Sequence, residues 1–302
     1  MAKILDGKKL ALEIQQRLKS EIDQGLIKAG RAPGLAVIRV GNDPASGVYV
    51  SNKTRACEKI GVKSFSIQLD EKSSTEEIIS KIADLNDDLR IDGILVQLPL
   101  PSHINSSKIL KSILPTKDAD GLHAYNLGSL LKGEPGPRSC TPAGIMALLA
   151  SSNIELDGTR AVVVGRSILV GKPMGLMLQA ANSTVTVAHS HTKDLSKLTN
   201  EADVLVVAAG KPQMIGKEHV SENTVVIDVG IHRIPQEKSL VNGSLYSLCG
   251  DVRTEEVFSK ARAITPVPGG VGPMTVSMLL VNTVFRWQDH CGLPFTLADL
   301  LP

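Results

Sequence analysis

Tyr49 and Lys53 stand four residues apart in the stretch "GVYVSNKTRACEKIG", residues 47–61. On a helix this spacing places two side chains on one face, with Cβ atoms about 5–6 Å apart. A lysine that accepts protons near neutral pH needs its pKa lowered from about 10.4 by burial or by neighbouring charge. The pair therefore predicts either acid–base chemistry on one ligand or a partly buried ring beside a solvated amine.

A glycine-rich turn, "VVVGRSILVGKP" (162–173), is the second chemical signal. Gly165 ends an apolar run, and Gly171 and Pro173 begin a predicted helix, whose N–H groups and dipole could bind a phosphate. Ser167 occupies the position of the usual second glycine, so the motif alone also fits a tight strand-to-helix turn. In short-chain dehydrogenases such a turn precedes the Tyr-Lys helix. Here it follows, and we exclude that class.

The choice of dinucleotide follows from two positions near this turn. The next predicted strand ends at Ser190 without the acidic residue that an NAD site uses for the ribose hydroxyls. Arg166 lies in the turn itself, where a guanidinium could pair with a 2′-phosphate. Both features favour NADP over NAD. The alternative for Arg166 is a solvated surface side chain.

Short apolar runs alternate with amphipathic segments, which predicts parallel βαβ units. Predicted strands are 34–41, 63–69, 93–100, 159–167, 184–190, 203–210 and 224–230, apolar on both faces in the second series. Predicted helices are 7–29, 46–60, 74–89, 143–152 and 276–287. We expect an α/β fold of two lobes with the last helix packing back on the first lobe. The segment 233–250 is irregular and predicts a hairpin or a loop.

Composition narrows the class of partner. The 302 residues carry a net charge of +2 and only 3% aromatics, which argues against binding nucleic acid. The four cysteines form no Cys-x-x-Cys motif, no apolar run reaches membrane length, and the N-terminus does not resemble a signal peptide. We therefore expect a cytoplasmic protein with reduced thiols. His189 and His191, two apart at a strand end, should point to opposite faces, and no metal site is predicted.

Three further stretches complete the pattern: "GILVQLPLP" with Gln97, "KDADGL" with Asp118 and Asp120, and "TPVPGGVGPMTV" with three glycines. Together with "YVSNK" and "GRSILVGKP", in this order, they closely resemble the bifunctional methylenetetrahydrofolate dehydrogenase/methenyltetrahydrofolate cyclohydrolase family over residues 1–290. The resemblance implies NADP-dependent oxidation of 5,10-methylenetetrahydrofolate and hydrolysis of the methenyl product to 10-formyltetrahydrofolate. It also implies a homodimer with folate bound between the lobes.

Carried over by position, the resemblance implies a catalytic lysine at Lys53, with Tyr49 beside the folate, Gln97 bonded to Lys53, and Asp120 holding the pterin ring. The folate pocket would be lined by Tyr49, Lys53, Val96, Gln97, Leu98, Asp120, Pro268, Gly269, Gly270, Val271, Gly272 and Pro273. NADP would contact Gly165, Arg166, Ser167, Ser190 and Ile231. The folate lobe would comprise 1–145 and 275–302, and a Rossmann-like NADP-binding lobe 146–274.

Two positions depart from the family pattern. Ala119 replaces a valine between the two acids, and His191 stands where arginine is frequent, which weakens the expected preference for NADP. "SCTPAG", residues 139–144, resembles the family's Cys-Thr-Pro segment.

Three alternatives stay open: a binding protein without activity, a homologue with one activity, and an amino-acid dehydrogenase of similar plan. The last of these would lack the Pro-Gly loop.

Overall fold

The structure is a computed structural model, and it describes residues 1–42, 44–235, 246–294 and 300, without the side chains of 44–46, 48 and 49. The chain forms two compact units. One, here called the three-strand unit, comprises Leu12–Cys140 and Val276–Pro302; the other, the six-strand unit, comprises Met1–Ala11 and Thr141–Thr275. The resemblance predicts that 1–11 belong to the other lobe, whereas the first strand lies in the six-strand sheet.

The strands are β1 (Lys3–Ile4), β2 (Gly34–Val40), β3 (Lys63–Leu69), β4 (Gly93–Val96), β5 (Arg160–Val164), β6 (Thr184–Ala188), β7 (Val204–Val207), β8 (Val225–Asp228), β9 (His232–Pro235), β10 (Tyr246–Cys249) and β11 (Ala263–Ile264). The helices are α1 (Gly7–Ala29), α2 (Pro44–Ile60), α3 (Thr75–Asp87), α4 (Ser106–Ser112), α5 (Ala124–Lys132), α6 (Cys140–Ser151), α7 (Gly171–Ala180), α8 (Leu195–Asn200), α9 (Thr254–Phe258) and α10 (Val271–His290). Every strand and helix predicted from the sequence is confirmed, with some ends moved by a few residues.

The three-strand unit holds a parallel sheet in the order β3-β2-β4. Ile38 of β2 and Ile94 of β4 are buried, and they pack in one core with Ile78 and Ile82 of α3. Helix α3 begins where Ser74 and Glu77 form a reciprocal capping box, which satisfies two N–H groups of its first turn. A helix of this kind covers the apolar face that parallel strands must bury.

Helix α10 packs on the three-strand unit through its residues from 276 onward, as predicted. The Trp287 ring is fully buried, and its Nε1 donates to the carbonyl oxygen of Arg31 at 3.1 Å. Gly25 of α1 lies under that ring, because a Cβ there would come within 2.5 Å of it. A large aromatic side chain thus fixes the last helix against the first.

The six-strand unit holds an all-parallel sheet in the order β1-β11-β8-β7-β5-β6. Valines of β5, β7 and β8 are buried on both faces, as predicted for covered strands. Strand β6 differs, since it lies at the sheet edge and three of its five residues are exposed. An apolar run does not reveal whether its strand will lie at an edge. The irregular 233–250 stretch contains the antiparallel pair β9 and β10, and 236–245 lie outside the described residues.

No helix in the described ranges is both long and apolar enough to cross a membrane.

Asp92, immediately before β4, anchors the three-strand unit through a buried carboxylate. Its two oxygens accept hydrogen bonds from the Arg31 guanidinium at 2.6 and 2.7 Å, and further bonds come from the Gly34 amide and from His290 Nδ1 on α10, both at 2.9 Å. Burial by itself would raise the pKa of Asp92, but the bonds from Arg31 and His290 outweigh it and hold the pKa below its ordinary value.

We expect Asp92→Asn to reduce the free energy of unfolding by about 3 kcal/mol at pH 7, because it leaves the Arg31 charge without its partner. A carboxyl whose folded-state pKa is lowered stabilises the fold above its ordinary pKa of about 4, and that stability is lost as the pH falls further. The difference between the two proteins in urea unfolding should therefore shrink in acid. Asp23→Asn, at an exposed pair with Lys19, is the control and should cost under about 1 kcal/mol at every pH. A difference that grows in acid would contradict this account.

Candidate active site

Lys53 and Gln97 meet at the carboxyl edge of the three-strand sheet. Lys53 lies on α2, which follows β2, and its Nζ donates to Gln97 Oε1 at 2.9 Å. Gln97 directly follows β4; its backbone amide donates to the carbonyl oxygen of Ile38 at 2.8 Å, and its Nε2 donates to that of Leu98 at 2.7 Å. The glutamine is held at both its backbone and its side-chain ends, so the position of the lysine amine is fixed through it.

Asp120 reaches the same region because residues 118–120 run alongside β4. Asp118 forms an isolated parallel bridge with Ile94, and the Ala119 amide donates to the Ile94 carbonyl at 3.3 Å. Asp118 itself is structural, since its Oδ2 accepts from the His123 amide and from Asn126 Nδ2, both at 2.8 Å. Of the two acids in this motif, only Asp120 is left available for a ligand. The small Ala119 is fully buried.

Electrostatics links Lys53, Asp120 and Cys140. Burial raises the pKa of the Asp120 carboxyl above its ordinary value, while the positive charge of Lys53 and a hydrogen bond with Cys140 act in the opposite direction. Burial and the charge of Asp120 raise the pKa of the Cys140 thiol well above its ordinary value, so this thiol stays protonated. The structure therefore brings Lys53, Gln97, Asp120 and Cys140 together.

Asn282 of α10 completes this cluster, and the sequence analysis missed it. Its Nδ2 donates to the carbonyl oxygens of Ala119 at 2.9 Å and Arg138 at 2.8 Å, and lies 3.5 Å from the Cys140 sulfur. The residue clamps the segment before Asp120 to the segment before Cys140. A polar residue in the middle of the apolar run "VSMLLVNTVFRW" was the available signal, because buried polar groups need partners.

Three further predicted folate contacts, Val96, Leu98 and Tyr49, lie in the three-strand unit. Val96 is buried at the end of β4, and Leu98 is partly buried. Tyr49 lies within α2, one turn before Lys53, but its side chain lies outside the described part of the structure. Its partnership with Lys53 stays a prediction.

The Pro-Gly loop, residues 268–273, belongs to the six-strand unit and runs into α10. Gly269 has φ +110°, and its carbonyl oxygen accepts the Lys8 amide at 2.9 Å. A Cβ at Gly7 would lie 1.9 Å from the Gly270 carbonyl oxygen, so the missing side chain at Gly7 allows the loop to contact the first turn of α1, while a Cβ at Gly270 would lie 2.7 Å from the Pro266 carbonyl oxygen. Gly272, by contrast, is exposed and has open space beside it. The glycine content thus has a packing cause at 270, whereas packing does not explain the glycine at 272.

The glycine turn lies at the carboxyl edge of the six-strand sheet, between β5 and α7. Gly165 has φ +129°, and a Cβ there would lie 2.2 Å from the Ala208 carbonyl oxygen. A Cβ at Gly171 would lie 2.1 Å from the carbonyl oxygen of Gly165. Both glycines are required by close backbone approach, and the resulting cradle fits a dinucleotide phosphate.

Ser167 accepts hydrogen bonds from backbone amides at the start of α7. Its Oγ accepts the Val170 amide at 3.2 Å, and its carbonyl oxygen accepts the Lys172 amide at 3.0 Å. The sequence predicts free N–H groups at this helix start. A phosphate would instead compete with Ser167 for the amide of Val170.

Arg166 and Ser190 follow the adjacent strands β5 and β6, and both are exposed. Arg166 forms no ion pair with any residue that the structure describes, which leaves its guanidinium available. Ile231 follows β8, two strands from β5, and is 46% exposed. The five predicted cofactor contacts thus all lie after strands of one sheet.

The prediction that His189 and His191 point to opposite faces is wrong. Strand β6 ends at Ala188, and the Thr192 amide donates back to the His189 carbonyl oxygen at 2.8 Å, so the chain turns. The two rings then meet edge to face, with centroids 5.9 Å apart. No group of three or more metal-ligating side chains occurs among the described residues. The absence of a metal stays a prediction.

Comparison with known proteins places both units in one family. Residues 5–120 match the model described as "Tetrahydrofolate dehydrogenase/cyclohydrolase, catalytic domain", and 139–291 match its "NAD(P)-binding domain". A bifunctional protein FolD of Prochlorococcus marinus (strain MIT 9313) is 64% identical over 301 residues, covering 100% of both chains.

Two solved structures are similar over almost the whole chain. The bifunctional FolD of Campylobacter jejuni has a TM-score of 0.88 and 46% identity, covering 96% of this chain and 99% of that one. The methylenetetrahydrofolate dehydrogenase-cyclohydrolase of Trypanosoma brucei, solved with NADP and an inhibitor, has a TM-score of 0.90 and 38% identity, covering 95% and 98%. The chain, with its lysine–glutamine–aspartate cluster and its glycine cradle, therefore belongs to the tetrahydrofolate dehydrogenase/cyclohydrolase family.

Proposed function

We propose that one cluster, Lys53, Gln97 and Asp120, serves both activities that this family combines. The enzyme oxidises 5,10-methylenetetrahydrofolate to the methenyl form with NADP and hydrolyses that product to 10-formyltetrahydrofolate in one-carbon metabolism. The observation that carries the residue assignment is the 2.9 Å hydrogen bond from Lys53 Nζ to Gln97 Oε1. The three-strand unit would hold the folate and the six-strand unit the NADP.

In the dehydrogenase step the protein mainly orients its ligands. The proposed cofactor site at Gly165, Arg166 and Ser167 would supply NADP as the hydride acceptor for the bridging carbon, and the folate nitrogens would stabilise the resulting cation. Asp120 would hold the pterin ring by hydrogen bonds, and Val96 and Leu98 would line the folate pocket beside it. Positioning of this kind converts a bimolecular step into one between held reactants.

The cyclohydrolase step needs proton transfers. A water oxygen bonds to the methenyl carbon and loses both of its protons; one goes to N5 as the bond from that carbon to N5 breaks, and the other is released to solvent. Lys53 is the proposed carrier of these protons. Gln97 would keep the amine in place because its oxygen accepts one of the amine hydrogens. Tyr49 would lie against the folate.

We expect Lys53→Met to lower the cyclohydrolase rate by at least about 10²-fold, because general acid–base catalysis contributes roughly 10²- to 10⁴-fold. The loss of methenyl absorbance measures the rate, and the dissociation constant for NADP should not change. Lys59→Met, at an exposed position on the same helix, is the matched control and should keep both activities. Full hydrolysis by Lys53→Met would remove this lysine from the mechanism. Formation of NADPH, followed at 340 nm, separates the enzyme from a binding protein without activity.

The proposed cofactor site comprises Gly165, Arg166, Ser167, Ser190 and Ile231. It is supported by the glycine cradle and by the guanidinium of Arg166 at the carboxyl edge of β5, which forms no ion pair with a described residue. No acid ends β6, which agrees with a 2′-phosphate in place of a free ribose hydroxyl pair.

Arg166→Ala should weaken NADP binding by roughly 10- to 100-fold, because hydrogen bonds to charged groups contribute about 1.5–3 kcal/mol. Binding of NAD should change little, since NAD lacks the 2′-phosphate. Titration of each nucleotide against the protein measures both constants, and Lys197→Ala, exposed on α8, serves as the control. Equal weakening of NAD and NADP would show that Arg166 contacts another part of the cofactor.

We also propose that the protein is a homodimer that pairs through β3. This seven-residue strand lies at the edge of its sheet, with β2 on one side and no strand of the described residues on the other. Its free N–H and C=O groups favour pairing with a second copy.

Ser66→Asp, on an exposed position of β3, should shift the mass in light scattering from that of two chains toward one, since the two-fold axis would bring like charges together. Ser196→Asp on α8 is the control, and it should leave the mass of the dimer unchanged. Monomeric wild-type protein would overturn the proposal.

The protein would act in the cytoplasm, where its product could supply the synthesis of purines, methionine and histidine. Its four cysteines are free, two of them buried, which suits a reducing compartment. Recovery of the activity in the soluble fraction of lysed cells would check the location.

A further inference from the structure

Asp251 is a fully buried carboxylate in the six-strand unit that none of the proposed roles uses. Its Oδ2 accepts the amides of Ala209 at 2.7 Å and Gly210 at 2.9 Å, in the loop that follows β7. Its Oδ1 lies 2.7 Å from His232 Nε2, which donates to it. Burying a carboxylate is costly unless it is hydrogen-bonded, and three donors meet that requirement here.

The loop that Asp251 holds lies directly against the glycine turn. The Ala208 amide donates to the Val164 carbonyl at 2.8 Å, and the Ala208 carbonyl oxygen faces Gly165, where a Cβ would meet it at 2.2 Å. Because the two following amides point to Asp251, the orientation of these peptide groups is fixed on both sides. The position of the loop therefore defines one wall of the glycine turn.

On its other side, Asp251 reaches the segment that follows β8. His232 is the neighbour of Ile231, one of the proposed cofactor contacts. Asp228, at the end of β8, accepts the Gly230 amide at 3.0 Å and the Asp251 amide at 2.9 Å on one oxygen. A Cβ at Gly250 would lie 1.8 Å from the Asp228 carboxylate, so the "CGD" stretch must approach this strand end closely. The carboxylates of Asp228 and Asp251 thus hold together, by hydrogen bonds, the segments that follow β7 and β8.

We propose that Asp251 is a positioning residue for NADP, which it serves by presetting the 208–210 loop and the Ile231–His232 segment on two sides of the cofactor site. The inference rests on the proposed placement of NADP at the carboxyl edge of this sheet. In that sheet β5 lies between β6 and β7, the arrangement in which α/β proteins bind ligands beyond the carboxyl ends of the strands. Without the carboxylate, the amides of Ala209 and Gly210 lose their acceptor and the loop must reorganise before the cofactor binds.

Asp251→Ala should raise the dissociation constant and the KM for NADP at least tenfold, while kcat of the dehydrogenase at saturating NADP falls less than threefold. Asp251→Asn, which keeps an oxygen for the two amides, should restore most of the affinity. The cyclohydrolase rate, which needs no NADP, should remain within twofold of the wild type in both variants. Amide exchange of Ala209 and Gly210 should be faster in the alanine variant.

Asp203→Ala is the matched control. Its carboxylate accepts the Arg160 amide at 2.8 Å in the same sheet, but at the opposite end of β5. It should lower the melting temperature without changing the affinity for NADP. If Asp251→Ala does not fold, His232→Ala replaces it, with an expected rise of at least threefold in the dissociation constant.

Unchanged NADP affinity in a folded Asp251→Ala protein, or an equal loss in Asp203→Ala, would overturn the inference. Titration of Arg166→Ala in parallel separates the positioning role of Asp251 from the proposed location of the cofactor site. If Arg166→Ala weakens NADP binding and the Asp251 variants do not, the positioning role fails alone. If neither change affects NADP, the proposed cofactor site itself is wrong.

Discussion

Each unit depends on one constraint of parallel sheets. Where the chain segments that follow two neighbouring strands run to opposite sides, a crevice opens at the carboxyl ends of those strands. In the three-strand unit β2 lies between β3 and β4, and in the six-strand unit β5 lies between β6 and β7. The chain therefore departs in different directions at these strand ends, and side chains that follow them can face a ligand. Gln97 follows β4, Lys53 lies on the helix after β2, and Gly165 follows β5.

Buried carboxylates maintain the positions of these strand ends, and their environments differ. Burial opposes the charge of Asp92, but the hydrogen bonds from Arg31 and His290 outweigh it, so the pKa of Asp92 lies below the ordinary value. Burial raises the pKa of Asp228 to about 6, although backbone amides of Asp251 and Val252 counteract it. The pKa of Asp120 is also raised by burial, and this carboxyl forms no ion pair with a described residue. The first two are structural, whereas Asp120 keeps an environment that a ligand can complete.

The glycines in these motifs are present for different reasons, and close packing explains most of them. Gly165 and Gly171 are required by close backbone contacts with Ala208 and Gly165, Gly7 by its contact with the Gly270 carbonyl oxygen, and Gly270 by its contacts with Thr265 and Pro266. A substitution at these positions would disturb the fold and the site together. Gly272 has open space around it, so its lack of a side chain is not explained by packing.

The sequence alone predicted the α/β class, the strands β2 to β8, the helices α1, α2, α3, α6, α7 and α10, and a candidate site at Lys53, Gln97, Asp120 and the glycine turn. Hydrophobic periodicity and residue type are local properties of the chain, and the spacing of motifs can be read from one sequence. Only the tertiary structure decided that β1 joins the six-strand sheet, that β6 is an edge, and that the two histidines meet. It also decided that Asn282 clamps the segments before Asp120 and Cys140, and that Asp251 holds the loop beside Gly165. These facts depend on contacts between residues far apart in the chain, which no local pattern encodes.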